Sequence, residues 1–315
     1  MSNDESEINK ERLKKIVQEG KDVAFFIGSG PSIPVGIKKW DELLMEMAER
    51  FKCNINVKNS IRAIGYPATA SEIYKQSIND DLDYLDFLHK QCESKDCDYT
   101  NIHSTIIETI KTIETLKTII TTNFDTVFED AFADAEIKPK IQKLPEFNSF
   151  NLLKKSPTIV YIHGNSETNT YIFRKEEYDA YYPSISQQTQ DISYRLERFL
   201  QEVFSHINLI FIGFSFDDYY FTEFLNKVLH EFVIAEMKTD EKILNISHSR
   251  ESVEHFAIVE ETQEAQLEKM RKIGLRIIMY EKGKHKQISR ILKDLQKPIL
   301  ESKSIYEDKE IAYAR

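Results

Sequence analysis

Two hydrophobic patterns alternate along most of the chain. Short unbroken apolar runs sit between longer stretches whose apolar residues fall three or four positions apart. The first pattern suits strands buried on both faces, the second suits helices with one face in a core. The runs are "VAFFIG" (Val23–Gly28), "TLKTIITTN" (Thr115–Asn123), "TIVYIHG" (from Thr158), "INLIFIGFS" (Ile207–Ser215), "KILNIS" and "LRIIMY". Helical spacing marks "INKERLKKIVQEG" (Ile8–Gly20), "FDTVFEDAF", "DISYRLERFLQEVFS" (Asp191–Ser205), "YYFTEFLNKVLHEFV" and "KHKQISRILKDLQ". From Trp40 to about Lys117 the spacing is helical almost throughout, as in "WDELLMEMAERF" and "HSTIIETIKTI".

Strands that alternate with helices, and are apolar on both faces, predict a parallel sheet covered on each side. The expected fold is therefore α/β: a Rossmann-like parallel sheet with helices on both faces and an inserted helical lobe. We expect one domain over residues 1–300. Its sheet core comes from about 20–38 and 117–297, and its helical insertion from about 40–116. Residues 301–315 read as a charged, frayed tail.

Composition narrows the class without naming it. The chain has 315 residues, 41% hydrophobic and 30% charged, an ordinary composition for a folded domain. A net charge of -10 speaks against a non-specific nucleic-acid binder. No apolar run is long enough to span a bilayer, and the polar N-terminus lacks a signal core, so a cytoplasmic location is expected. The cysteines are Cys53, Cys92 and Cys97. An odd, sparse set suits a reducing compartment, and C-x4-C without a second pair does not make a zinc site. No metal is expected.

The candidate chemistry lies where the apolar runs stop. In an open parallel sheet, ligands bind beyond the carboxyl ends of the strands. There the sequence places "GSGPS" (Gly28–Ser32), "TTNFD" (Thr121–Asp125), "HGN" (His163–Asn165) and "GFSFDD" (Gly213–Asp218). Gly28 and Gly30 can bring backbone amides close to a pyrophosphate, with Ser29 or Ser32 as further donors. A plain strand-to-helix turn explains the same residues. Gly213 and Ser215 can serve a phosphate or ribose, while Ser215, Asp217 and Asp218 can equally cap a helix. Asn123 and Asp125 are good caps too, and Asn123 could hold a water or a sugar hydroxyl. His163 is either a satisfied core histidine or a general base, with Gly164 leaving room for a ligand. Four polar tips on successive strands favour one shared crevice over four unrelated caps.

The ordered series "GSGPS … TTNFD … YIHG … GFS … ILN" resembles the Sir2 (sirtuin) superfamily, and looks closest to bacterial Sir2-like NAD-hydrolysing subunits of anti-phage defence systems. The resemblance runs from about Ala24 to Tyr280. It implies that NAD is bound across the carboxyl edge of the sheet. It matches Asn123 and His163 to the family's catalytic pair and Asp125 to a polar partner near the nicotinamide. Gly28, Ser29, Gly30, Ser32, Thr122, Gly213 and Ser215 match the phosphate and ribose turns. Asn245 matches an adenosine-ribose contact after the fifth strand, or is a turn residue. The implied activity is an NAD hydrolase releasing nicotinamide and ADP-ribose, linear or cyclic.

Two features of peptide-deacylating sirtuins are missing: the CxxC…CxxC zinc module and a Pro-Asp-Phe-Arg run, replaced here by "VGIKKWDELL" (Val35–Leu44). Trp40 in that run reads as a core anchor. A deacylase or ADP-ribosyltransferase, and a non-catalytic NAD or ADP-ribose sensor, are the alternatives. The family further implies control by homo-oligomerisation or by a separately encoded regulatory subunit, such as an ATPase or nucleotide-sensing protein.

Overall fold

A computed structural model describes residues 3–77, 81–92, 99–144, 146–148, 156–167, 170–183, 194–216, 218–228 and 253–313. Among them, β1 (Val23–Ile27), β2 (Leu116–Thr121), β3 (Lys140–Lys143), β4 (Thr158–Tyr161), β5 (Asn208–Ile212), β6 (His255–Glu260) and β7 (Leu275–Tyr280) form a seven-stranded sheet. Every pairing is parallel, in the order β3-β4-β2-β1-β5-β6-β7. This is the expected α/β architecture.

The period of two along each strand divides the core. Ala24, Phe26, Ile120, Val160, Leu209 and Phe211 belong to one apolar cluster. Their neighbours Phe25, Ile27, Ile119, Ile159, Ile210 and Ile212 belong to another. Each cluster is closed by helices, so every strand between the edges is buried on both faces, which explains the unbroken apolar runs. The first face is covered by α8 (Lys175–Tyr181), α9 (Tyr194–His206), α10 (219–228) and α11 (Glu264–Lys272). The second is covered by α1 (Asn3–Gln18), α6 (Asn101–Thr112), α7 (Val127–Asp134) and α12 (Lys286–Tyr313).

Between β1 and β2 the chain forms α2 (Trp40–Arg50), α3 (Val57–Ile64), α4 (Tyr66–Ser77) and α5 (Asp81–Cys92) ahead of α6. Helices α2 to α5 enclose a third apolar cluster around Leu44, Met47, Ile73 and Phe87. Tyr171 and Phe173, from the segment after β4, complete it. Trp40 stacks on Phe173 at 4.8 Å between ring centres, so it anchors this cluster to the sheet domain.

The structure differs from the sequence reading at three places. The strand beside β5 is "HFAIVE", His255–Glu260; "KILNIS", with Asn245, lies outside the described residues, as does Cys97. Lys140–Lys143 adds an edge strand whose polar, partly exposed residues give no apolar signal. The C-terminal segment is not frayed at 301. Helix α12 continues through Pro298 to Tyr313, because Glu and Lys sustain a helix as readily as apolar residues do.

Candidate active site

The carboxyl ends of β1, β2, β4, β5, β6 and β7 open onto one cleft of about 1550 Å³, whose other wall is formed by α2, α3 and α5. Of the residues singled out from sequence, Gly28, Ser29, Gly30, Thr122, Asn123, Asp125, His163, Gly213 and Ser215 all line it. Ser32 lies just behind, fully buried.

The glycines have a different physical role from the one their spacing suggests. The Gly28 amide donates to Ile212 O and the Gly30 amide to Gly213 O, each at 3.0 Å. Neither N–H is therefore directed at a ligand. A Cβ on Gly30 would lie 2.6 Å from Gly213 Cα, and one on Gly213 would lie 2.3 Å from Pro31 Cδ. The loops after β1 and β5 interlock backbone to backbone, and glycine is what allows them to meet. Gly164 behaves alike: at φ +87 its missing Cβ leaves space for Thr170 O, not for a ligand.

Asn123 ties β2 to β1. Thr121 Oγ1 donates to Ile27 O at 2.9 Å and accepts from the Asn123 amide at 3.0 Å. The Asn123 side chain then donates to Gly28 O at 3.2 Å and reaches Ser32 Oγ at 3.4 Å. This places its amide on the cleft floor, 8% exposed. Asp125 accepts from the Val127 amide at 3.3 Å, the turn-capping role open to it from sequence. Its Oδ2 is enclosed and has no hydrogen-bond partner. Burial pushes the Asp125 carboxyl up to about 6, against the opposing pull of the Val127 amide and of Ser32 and Asn123.

His163 is 2% exposed and packs edge-on against Tyr178 and Tyr182. Its Nε2 bonds the Tyr182 hydroxyl at 2.7 Å. Burial depresses the imidazole to about 3, so the ring is neutral at physiological pH. Tyr178 comes from α8 and Tyr182 is the residue that caps its C-terminal end, one turn further on. Tyr178 donates to Asp218 Oδ2 at 2.6 Å, while Asp218 Oδ1 accepts from the Phe221 amide at 3.0 Å and so caps α10. Asp217 lies outside the described residues.

Sequence reasoning missed Tyr178 and Tyr182, although "EEYDAYY" carries them at i, i+4, the spacing that puts two side chains on one helix face. It also missed Glu260, Glu261 and Thr262, which follow β6 and line the far end of the cleft. Among the described residues no group of three His, Cys, Asp or Glu is placed to hold a metal ion, and no helix is long and apolar enough to cross a membrane.

A doubly covered parallel sheet with polar residues gathered beyond its strand ends defines a nucleotide-binding α/β domain. The chain belongs to the SIR2-like domain family, which matches residues 117–278. The family implies NAD binding. The chain is 22% identical over 218 residues to the NAD(+) hydrolase ThsA of Bacillus cereus (strain MSX-D12). That alignment covers 66% of this chain and spans 40% of the length of ThsA. Similar solved structures include a Sir2 enzyme studied for mechanism and regulation, at 13% identity and TM-score 0.43, covering 94% of this chain and 99% of that one. A Sir2 homolog–NAD complex has 11% identity and TM-score 0.42, covering 92% and 94%.

Proposed function

We propose that this protein is an NAD hydrolase that cleaves the bond between nicotinamide and ribose. One observation carries the reading: Asn123 and His163, from the ends of adjacent parallel strands, line the same cleft as the interlocked loops after β1 and β5. A dinucleotide laid across this edge has its pyrophosphate over the β1 and β5 loops. With the Gly28 and Gly30 amides already bonded, the Ser29 hydroxyl is a donor beside it, and Ser215 lines the same part of the cleft. Its nicotinamide ribose then reaches Asn123, Asp125 and His163.

Cleavage sends the bonding electron pair of the anomeric C–N bond onto the pyridinium nitrogen, which leaves as neutral nicotinamide. The oxocarbenium-like centre left behind is captured by a water oxygen, giving ADP-ribose and a released proton. Asn123 orients the water or the ribose hydroxyls. His163, neutral at physiological pH, takes up the proton from the ribose hydroxyl or from the water, although the burial that lowers its imidazole also makes it a weaker base than a free histidine. Asp125 faces the nicotinamide end.

The test is NAD consumption by the purified chain, alone and with the product of its neighbouring gene. Turnover that disappears in Asn123→Ala and His163→Ala supports the reading; absence of turnover under every condition, or full turnover in both variants, sinks it. NAD depletion in anti-phage defence, under control of an oligomer or a partner subunit, belongs to the same proposal and is tested by whether that partner switches turnover on.

A further inference from the structure

Helix α8 and its C-cap residue meet His163 with two aromatic rings and one hydrogen bond. Tyr178 lies 5.4 Å from the imidazole centre at 80°, and Tyr182 lies 5.9 Å away at 84°. The two tyrosines stack on each other at 5.9 Å. Only Tyr182 turns its hydroxyl to the ring, at 2.7 Å from Nε2, and it is 0% exposed. Tyr178 turns its own to Asp218.

Helix α8, which carries Tyr178 and leads directly into Tyr182, is held at its start and along one side. At its start, the Arg174 guanidinium bonds Glu177 and lies 3.9 Å over the Tyr74 ring of α4. Glu176 bonds Ser71 at 2.5 Å and pairs with Lys75 at 2.5 Å, both also on α4. On its other side, Tyr220 donates to Asp179 at 2.7 Å and ties it to α10. The Tyr182 amide donates to Tyr178 O at 2.8 Å, so its phenol is tied to the end of this held helix and gives a rigid reference point for the ring it touches.

Resting on the hydrolase reading above, we propose that Tyr182 is the positioning residue of His163: by holding Nε2 it fixes the ring and leaves Nδ1 as the nitrogen that works on the substrate. A hydroxyl both donates and accepts. For Nδ1 to take up a proton, the neutral ring must carry its hydrogen on Nε2, and the Tyr182 oxygen then accepts from Nε2–H both before and after that proton arrives. The buried phenol has good reason to stay, since a polar group enclosed without a partner is costly. Tyr182 touches no substrate in this scheme. In the same scheme it keeps the imidazole in one plane with its hydrogen on Nε2, and an imidazole free to turn in its socket loses near-attack geometry.

Tyr182→Phe separates this role from simple packing, because phenylalanine fills the same space and lacks only the hydroxyl. The expected result is a fall in kcat of roughly ten- to hundred-fold with KM for NAD within about twofold of the parent. Parental kcat in a folded Tyr182→Phe protein overturns the proposal. His163→Ala, run alongside, keeps the two claims apart: if it retains turnover, the hydrolase reading fails; if it is inactive while Tyr182→Phe is fully active, only the positioning role fails. Should Tyr182→Phe not fold, the unmodified protein labelled with 15N-histidine gives the answer. One neutral His163 tautomer, held between pH 5 and 8, is expected, and a ring averaging between tautomers refutes the role.

Discussion

Tyr178 donates its phenolic proton to Asp218 across 2.6 Å, and this bond joins α8 to the loop that leaves β5. Burial raises the Asp218 carboxyl, and the tyrosine is among the donors that hold it down. Tyr178→Phe leaves one buried carboxylate oxygen without that donor. We expect a loss of about 1–3 kcal/mol at pH 7 in urea unfolding. The deficit shrinks at acid pH, where Asp218 takes up a proton.

Asp125 carries the opposite lesson. Its carboxyl is raised from 3.8 to about 6, chiefly by burial, so the folded protein binds this proton more tightly than the unfolded chain does. Stability from this group is therefore present below the unfolded value and lost as pH rises through about 6. Asp125→Asn removes the charge, and it should stabilise the protein at pH 7 by on the order of 2 kcal/mol. The gain disappears near pH 4. A constant difference between pH 4 and 7 would contradict the assignment.

Three buried histidines set the acid limit. Burial lowers His103 and His255 to about 4 and His163 to about 3. Each binds fewer protons folded than unfolded, so each contributes stability above pH 6.5 that drains away as pH falls toward 4. The expected slope is about 1.4 kcal/mol per pH unit for each ring, offset in part by Asp125. His255→Gln keeps a donor for Phe204 O, which His255 Nε2 now faces at 3.1 Å. It should remove one such share from the slope measured between pH 6 and 4.5.

The loop interlock predicts a sharp contrast between glycines. Gly213 has φ +66 and no room for a methyl group against Pro31. Gly20 has a similar φ, +70, with nothing within 4 Å of its would-be Cβ. Gly20→Ala should cost about 1 kcal/mol, the backbone penalty alone. Gly213→Ala should cost several times more and abolish nucleotide binding, because the β1 loop must move away. Thermal melting of both variants decides it.

Much of the fold was legible because burial on both faces leaves a plain trace. "VAFFI" and "NLIFI" have no polar position to confuse them with a helix face. The strand Lys140–Lys143 left no trace, since an edge strand needs only one buried face and this one is mostly polar. The segment "HFAIVE" carries the same unbroken apolar signal as the other buried strands. The site was legible as a set of strand ends. Its second layer was only partly so: the i, i+4 spacing of Tyr178 and Tyr182 marks a shared face and Asp218 reads as a cap, but the bonds from Tyr182 to His163 and from Tyr178 to Asp218 join segments far apart in sequence.

The order of strands also fixes when the cleft can exist. β1 is the first strand of the chain and lies at the middle of the sheet. Its partners on the two sides arrive far later: the Thr121–Ile27 bond spans 94 residues and the Asn208–Asp22 bond spans 186. While the chain is being made, β1 must wait with both edges unpaired, and each half of the cleft depends on it for a floor. Loops this long close slowly. A nascent chain that stops short of β5 has no interlocked glycines and no crevice, so synthesis itself withholds the binding site until the segment through Gly213 has been made.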